Sequence, residues 1–294
     1  MTTHKSMQGK LAMVTGATAG LGLATAMALA ECGAAVVLVG RDAQKASAAA
    51  QSIRNHTGNP LIEFVLADLS SQREVRRLVT EFTAQHSRLH VLVNNAGGSY
   101  SRRRESEDGI EMTFALNHLG YFLLTNLLLD TLKAIAFGET IASAPARIVN
   151  VSSEVHRQVT LDFGDLNAKR SWNGYRTYMR SKLCNLFFTY ELARRLEGTG
   201  VTVNAAAPGL VKTGLGLQDG GMDAFMKRTM NVLMGVTPEV GARTIIHLAT
   251  SPDVEGVSGK YFAKGKEVRS SKASLDRAAA ERLWQISVQM TGMQ

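Results

Sequence analysis

A short apolar run, Lys10–Val14, leads into Thr15-Gly16-Ala17-Thr18-Ala19-Gly20-Leu21-Gly22, and this junction constrains the fold more than any other part of the chain. From Gly20 to Gly33 the residues Leu21, Ala24, Ala28 and Leu29 recur at helical spacing, so the glycines sit between a strand and a helix. Their pattern is Gly-x-x-x-Gly-x-Gly. Gly16 permits a sharp turn, Gly20 lets a ligand approach the backbone without a Cβ in the way, and Gly22 allows close helix packing. The N–H groups at the start of such a helix, with their partial positive charge, suit an anion such as a pyrophosphate.

The alternation of strand and helix then continues. The pattern predicts strands at 35–39, 62–66, 89–93, 147–151, 201–206 and 259–262, the first of them the continuous apolar run Ala35–Val39 of a strand covered on both faces. It predicts helices at 43–56, 74–86, 108–137, 175–196, 238–249 and 278–289, with Asp42 as N-cap of the first and Gly58 after its end. Strands alternating with helices imply right-handed βαβ crossovers and a parallel sheet. With a glycine-rich turn after the first strand, the expected class is α/β, a doubly wound parallel sheet of the Rossmann type. No repeat, linker or shift of composition divides the 294 residues, so a single domain is expected.

Charge and cysteine use narrow the partners. Lys and Arg number 33 against 25 Asp and Glu, a net charge of +8, but the basic residues are scattered. The one tight run, Arg102-Arg103-Arg104, is too short for a nucleic-acid arm; it reads as a solvated loop or as an attractor of an anionic ligand. Cys32 and Cys184 lie in helical, apolar contexts without metal-ligand spacing, as free thiols of a reducing compartment do. No metal site is expected. Met1–Lys10 lacks the apolar run of a signal peptide, and no stretch reaches the ~20 apolar residues of a membrane helix. A soluble, cytoplasmic protein without a membrane anchor is the expectation.

Further motifs follow in order: Asn94-Asn95-Ala96-Gly97 after the fourth strand, Val151-Ser152-Ser153 after the fifth, Tyr178-x-x-x-Lys182 in the next helix and Pro208-Gly209 after the sixth strand. With Thr15–Gly22 they resemble the signatures of the short-chain dehydrogenases/reductases, over residues 9–263. Asn117-His118-Leu119-Gly120-Tyr121-Phe122, the long interval from Ser153 to Tyr178 and the ending Arg282-Leu283-Trp284 are similar to the retinol-dehydrogenase-like branch.

The resemblance implies an oxidoreductase that interconverts an alcohol and a carbonyl. Carbonyl reduction needs a hydride donor, a proton donor and stabilisation of charge on the oxygen. Tyr178 and Lys182, at i and i+4, project from one helix face. A free tyrosine titrates near pH ~10, and a neighbouring ammonium favours its phenolate; the resemblance implies that Lys182 lowers the Tyr178 pKa in this way. The resemblance gives Lys182 hydrogen bonds to the nicotinamide ribose, gives Ser153 rather than Ser152 the contact with the substrate oxygen, and has Asn117 hold a water that links Lys182 to solvent. A backbone-satisfied, helix-kinking Asn117 is the alternative. His118 and His156 match no catalytic position of the family and read as packing or pocket residues.

The cofactor positions implied are Gly16, Thr18, Ala19, Gly20, Leu21 and Gly22 at the phosphates, and Asp68 and Leu69 at adenine. Asn95, Ala96 and Gly97 fall beside the adenosine ribose. Pro208, Gly209, Val211 and Thr213 run past the nicotinamide, and Tyr178 and Lys182 also touch the cofactor. NAD-preferring relatives carry an acid at the end of the second strand. Here Gly40 stands there, followed by Arg41 and, a turn later, Lys45. NADP(H) is therefore the expected cofactor. Residues 212–236, with Met222, Met226, Met230, Met234 and Phe225, read either as a lid over an apolar substrate or as a packed short helix. A small-molecule alcohol or carbonyl is the expected partner, nucleic acid is not, and a homodimer or homotetramer is the expected assembly. The competing function is a non-catalytic NADP(H)-binding sensor or scaffold.

Overall fold

A computed structural model describes residues 6–136, 146–211 and 235–293. Strands β1 (Leu11–Thr15), β2 (Ala35–Gly40), β3 (Ile62–Leu66), β4 (Val91–Asn94), β5 (Ala146–Val151), β6 (Val201–Ala207) and β7 (Lys260–Ala263) are all parallel, and the short β8 (Lys266–Glu267) returns antiparallel to β7. The order in the sheet is β3-β2-β1-β4-β5-β6-β7-β8. The order of winding reverses between β1 and β4, where Val14 is flanked by Leu38 on one side and Val93 on the other. A doubly wound sheet binds ligands at the carboxyl edge of this switch point. The chain is one α/β domain of Rossmann type, as its alternating pattern implies.

Successive residues of each strand serve opposite faces, and in the central strands β1, β2 and β4 to β6 both faces are buried, whereas the edge strand β3 exposes Glu63 and Phe64. Val14, Val36, Leu38 and Val149 pack with Leu29 of α1 (Gly20–Glu31), Ile53 of α2 (Ala43–Thr57) and Leu248 of α8 (Pro238–Thr250). Met13, Val37, Val39 and Ile148 pack on the other side with Phe82 of α3 (Gln72–Gln85), Phe188 of α7 (Gly174–Arg195) and Trp284 of α9 (Arg277–Thr291). This two-sided burial explains why the strands read as unbroken apolar runs. The C-terminal helix lies along α7: Arg195 stacks its guanidinium over Trp284 at 4.3 Å, and Gln72 and Arg76 donate to the carbonyls of Met290 and Thr291. The face of the long helix that carries Phe188 and Leu192 is thus covered within the chain.

The stretch expected as one helix over 108–137 is not one. Residues 105–111 form a small hairpin-like loop, with Glu105 bridged to Glu111 and Gly109 at φ 71°. Helix α4 (Met112–Phe114) begins only where the Glu111 carboxylate accepts from Phe114 N at 2.8 Å. A π turn (Ala115–Leu119) leads into α5 (Gly120–Leu127), and the axis then bends by 54° before α6 (Leu129–Ala136). Among the described residues no single helix is long and apolar enough to cross a membrane; the bent pair formed by these segments passes only when joined. Cys184 is buried and Cys32 partly so, both as free thiols. The arginine run is not uniformly solvated: Arg103 pairs with Glu105 at 2.8 Å and reaches the Asn167 carbonyl.

Candidate active site

The turn after β1 is clamped from the end of β4. The Thr15 hydroxyl donates to Val93 O and accepts from the amides of Asn95 (2.8 Å) and Ala96 (3.0 Å), while the Asn95 side chain donates to Thr15 O at 2.8 Å. The family resemblance puts Asn95 beside the adenosine ribose; its side-chain amide is engaged with the turn itself, and Thr15, first residue of the glycine-rich motif, forms the other half of the clamp. Gly16 sits at φ 64°, and a Cβ there would lie 2.8 Å from Ala96 Cα; a Cβ on Gly22 would lie 2.2 Å from Gly16 O. The glycines therefore serve first to press turn, helix and β4 together. Helix α1 starts at Gly20, and Ala19 before it offers no side-chain cap; its first turn carries no acid. Its leading N–H groups face the turn without a side-chain acceptor, which fits a diphosphate.

At the end of β2, a Cβ on Gly40 would lie 2.5 Å from the Thr18 methyl, so the missing side chain also has a steric cause. Asp42 caps α2 through Lys45 N at 3.0 Å, and this hydrogen bond holds its carboxyl below the ordinary range. The Lys45 ammonium lies 3.6 Å from the same carboxylate. Arg41 lies 3.9 Å from Asp68, both well exposed, and Asp68 accepts from Ser70 N and Oγ. Leu69 is buried, and its carbonyl lies so close to Gly120 that a Cβ there would come within 2.5 Å of it.

Ser153 follows β5 in extended conformation, and its side chain lies close enough to the Tyr178 phenol to favour its ionised form. Ser152 is held elsewhere: its hydroxyl donates to Lys182 O at 2.8 Å and its amide to Ala206 O. Lys182 is buried at 3% exposure; its Nζ donates to Val151 O at 3.1 Å and lies 5.5 Å from the Tyr178 ring centroid. Burial pushes the Lys182 ammonium down to about 8. Tyr178 does not titrate low, as the sequence suggested it would. Burial, with Tyr175 adding to it, pushes the phenol up to about 12 against the opposing effect of Ser153. Desolvation outweighs any help from the lysine.

Asn117 lies in the π turn, fully buried. Its amide donates to Gly98 O (3.0 Å) and Ser181 Oγ (2.9 Å), and its carbonyl accepts from Gly98 N (2.8 Å). Ser181, absent from the sequence reading, donates on to Tyr178 O. Asn117 thereby ties the Asn95–Gly97 loop to the helix bearing Tyr178, and Gly97 would place a Cβ 3.3 Å from it. His118 points away, stacked 5.1 Å from Phe114 with Nε2 at Ser287; burial lowers it to about 3. Pro208 and Gly209 (φ 80°) follow β6, and Val211 bridges to Val236. Thr213 and nearly all of the 212–236 segment, including its methionines, lie outside the described residues. No group of three or more His, Cys, Asp or Glu suited to a metal occurs among the described residues.

A family model described as short chain dehydrogenase matches residues 10–220. Over 98% of its length the chain is 44% identical to mouse (Mus musculus) retinol dehydrogenase 14 and 40% identical to human (Homo sapiens) retinol dehydrogenase 13, covering 87% and 86% of those proteins. It is 38% identical to human polyprenol dehydrogenase over 97% of this chain and 86% of that one. Among solved structures, an uncharacterised protein from Mycobacterium paratuberculosis superposes with a TM-score of 0.77 at 30% identity, covering 98% of this chain and 95% of that one. Pseudomonas aeruginosa RhlG, in an active-site complex with NADP, gives a TM-score of 0.68 at 25% identity over 94% of this chain and all of that one. The chain is an oxidoreductase and belongs to the short-chain dehydrogenase family, in its retinol-dehydrogenase-like branch.

Proposed function

We propose that the protein interconverts an alcohol and a carbonyl with NADP(H), that Tyr178 is the proton donor or acceptor, and that the substrate is a long apolar alcohol or its carbonyl partner. The observation that carries the reading is the Ser153–Tyr178–Lys182 arrangement on the carboxyl edge of the sheet that also carries the uncapped start of α1. A bound nicotinamide dinucleotide supplies the hydride. In the reducing direction the carbonyl oxygen takes its proton from Tyr178 Oη. Burial pushes the phenol up to about 12, so Tyr178 holds its proton at neutral pH and depends on positive charge beside it, which Lys182 supplies, to release it. Ser153 offers a second donor as negative charge grows on that oxygen. Lys182 uses one N–H on Val151 O, which leaves two for the ribose hydroxyls. The Asn117 side-chain amide is committed to Gly98 and Ser181.

NADP(H) follows from the end of β2. Gly40 presents no carboxylate, and the exposed Arg41–Asp68 pair at 3.9 Å is weak enough to yield to a 2′-phosphate. Lys45 stands one helical turn further on. The relative solved with NADP supports the same choice, and the names of the retinol and polyprenol dehydrogenases support an apolar alcohol. The test is reduction of all-trans-retinal and of short polar ketones, each with NADPH and NADH. The proposal expects retinal to be reduced with NADPH. A preference for NADH contradicts the cofactor assignment, and turnover of the polar ketones alone contradicts the substrate class.

A further inference from the structure

We propose that His156 is a positioning residue for the reaction: it fixes the backbone of Ser153 and couples it to the C-terminal segment 269–274. The inference rests on the reading of Ser153 given above. The turn that carries Ser153 is a short 3-10 segment, Glu154–Gln158, with no side-chain cap at its start. One backbone bond lies within it, from His156 N to Ser153 O at 3.2 Å; three ties run outward, two of them to segment 269–274 and one to β7. Tyr261 donates its hydroxyl to the Glu154 carboxylate, Arg157 donates to the Arg269 carbonyl at 2.6 Å, and His156 meets Ser271.

His156 is fully buried, edge-on to the Tyr261 ring at 5.2 Å. Its Nδ1 lies 2.7 Å from Ser153 O and its Nε2 lies 3.1 Å from Ser271 N. A backbone carbonyl only accepts and a backbone amide only donates. Nδ1 must therefore carry the proton and Nε2 must be bare, a single neutral tautomer set by its two partners. Both ring nitrogens are satisfied, so the residue is no free acid–base group, and it adds two backbone bonds to the packing or pocket role that the sequence suggests. The segment that it grips is anchored in turn: Ser274 donates to Ser270, which also accepts from the Tyr190 hydroxyl at 2.7 Å. Tyr190 belongs to α7, the helix that carries Tyr178 and Lys182. The serine turn and the tyrosine helix thus share this anchor, in addition to the direct bonds that Ser152 and Lys182 make between strand end and helix.

Amide variants separate the two bonds. In His156→Asn an N–H can replace Nδ1 and keep the Ser153 bond; in His156→Gln an oxygen can replace Nε2 and keep only the Ser271 bond. Steady-state reduction of all-trans-retinal by NADPH is measured for both, in wild-type and Ser153→Ala backgrounds, with thermal midpoints to confirm folding. Loss of one aligning hydrogen bond is expected to lower kcat about tenfold in His156→Gln, with KM for NADPH within about twofold and most of the loss recovered in His156→Asn. In the Ser153→Ala background the same His156→Gln change should cost less than about twofold, because two residues acting as a unit are not additive. Equal losses for Asn and Gln, an unchanged kcat in Gln, or full additivity with Ser153→Ala would overturn the positioning role. An undiminished rate in Ser153→Ala alone would instead overturn the catalytic reading beneath it.

Discussion

Replacing Lys182 with Met should make the cofactor-free protein more stable while it destroys the site. The ammonium is buried, and its pKa falls from 10.5 to about 8 through burial alone. At about 1.4 kcal/mol per pKa unit, that fall represents about 3 kcal/mol by which folding disfavours the charged form at neutral pH. Methionine is close in volume and carries no charge. Its loss of the Nζ bond leaves Val151 O satisfied, because Asn185 Nδ2 also donates to it at 3.1 Å. The pH dependence fixes the sign. Below pH ~8 the lysine is protonated in both folded and unfolded chains, and the whole penalty applies. Between about 8 and 10.5 the unfolded chain binds more protons than the folded one, so wild-type stability rises with pH and the advantage of the variant fades. Urea unfolding of both proteins at pH 7, 8.5 and 10 measures this. A Met variant that is less stable at pH 7, or an advantage that grows toward pH 10, would refute the reasoning.

Arg41→Ala should weaken NADPH binding by about 10- to 150-fold and leave NADH nearly unchanged, since a charge-assisted hydrogen bond is worth about 1.5–3 kcal/mol; fluorescence titration with both cofactors checks it. Gly40→Ala drives a Cβ to within 2.5 Å of the Thr18 methyl. It should cost about 1–3 kcal/mol, as overpacking does, and Thr18→Ser should restore most of that loss in denaturant midpoints.

The strands were legible because they are buried on both faces, so Ala35–Gly40 and Ala146–Val151 carry a signal that needs no partner to be read. Caps were legible where the capping residue was a usual one, as with Asp42. The start of the long helical stretch was not. Its cap is Glu111, an unusual residue for that position, and the loop before it is held by the pairing of Glu105 with Glu111. Nor does anything local mark the bend at Leu128, where no proline or glycine interrupts the chain. In the site, the i, i+4 spacing of Tyr178 and Lys182 was visible in the sequence, and their shared face is a consequence of it. The environment was not visible: whether burial or the ammonium governs Tyr178 depends on what packs over it, and burial prevails. The same holds for His156 and Asn117, whose partners at Ser271 and Gly98 come from distant parts of the chain.

The central claim is that Tyr178 transfers the proton, and Tyr178→Phe tests it most directly, because it removes one oxygen and keeps the ring. Turnover of all-trans-retinal with NADPH should fall by about 10²- to 10⁴-fold, the usual contribution of a positioned acid, with NADPH affinity nearly unchanged. Retention of more than about a tenth of the wild-type rate, with the cofactor bound normally, would contradict it.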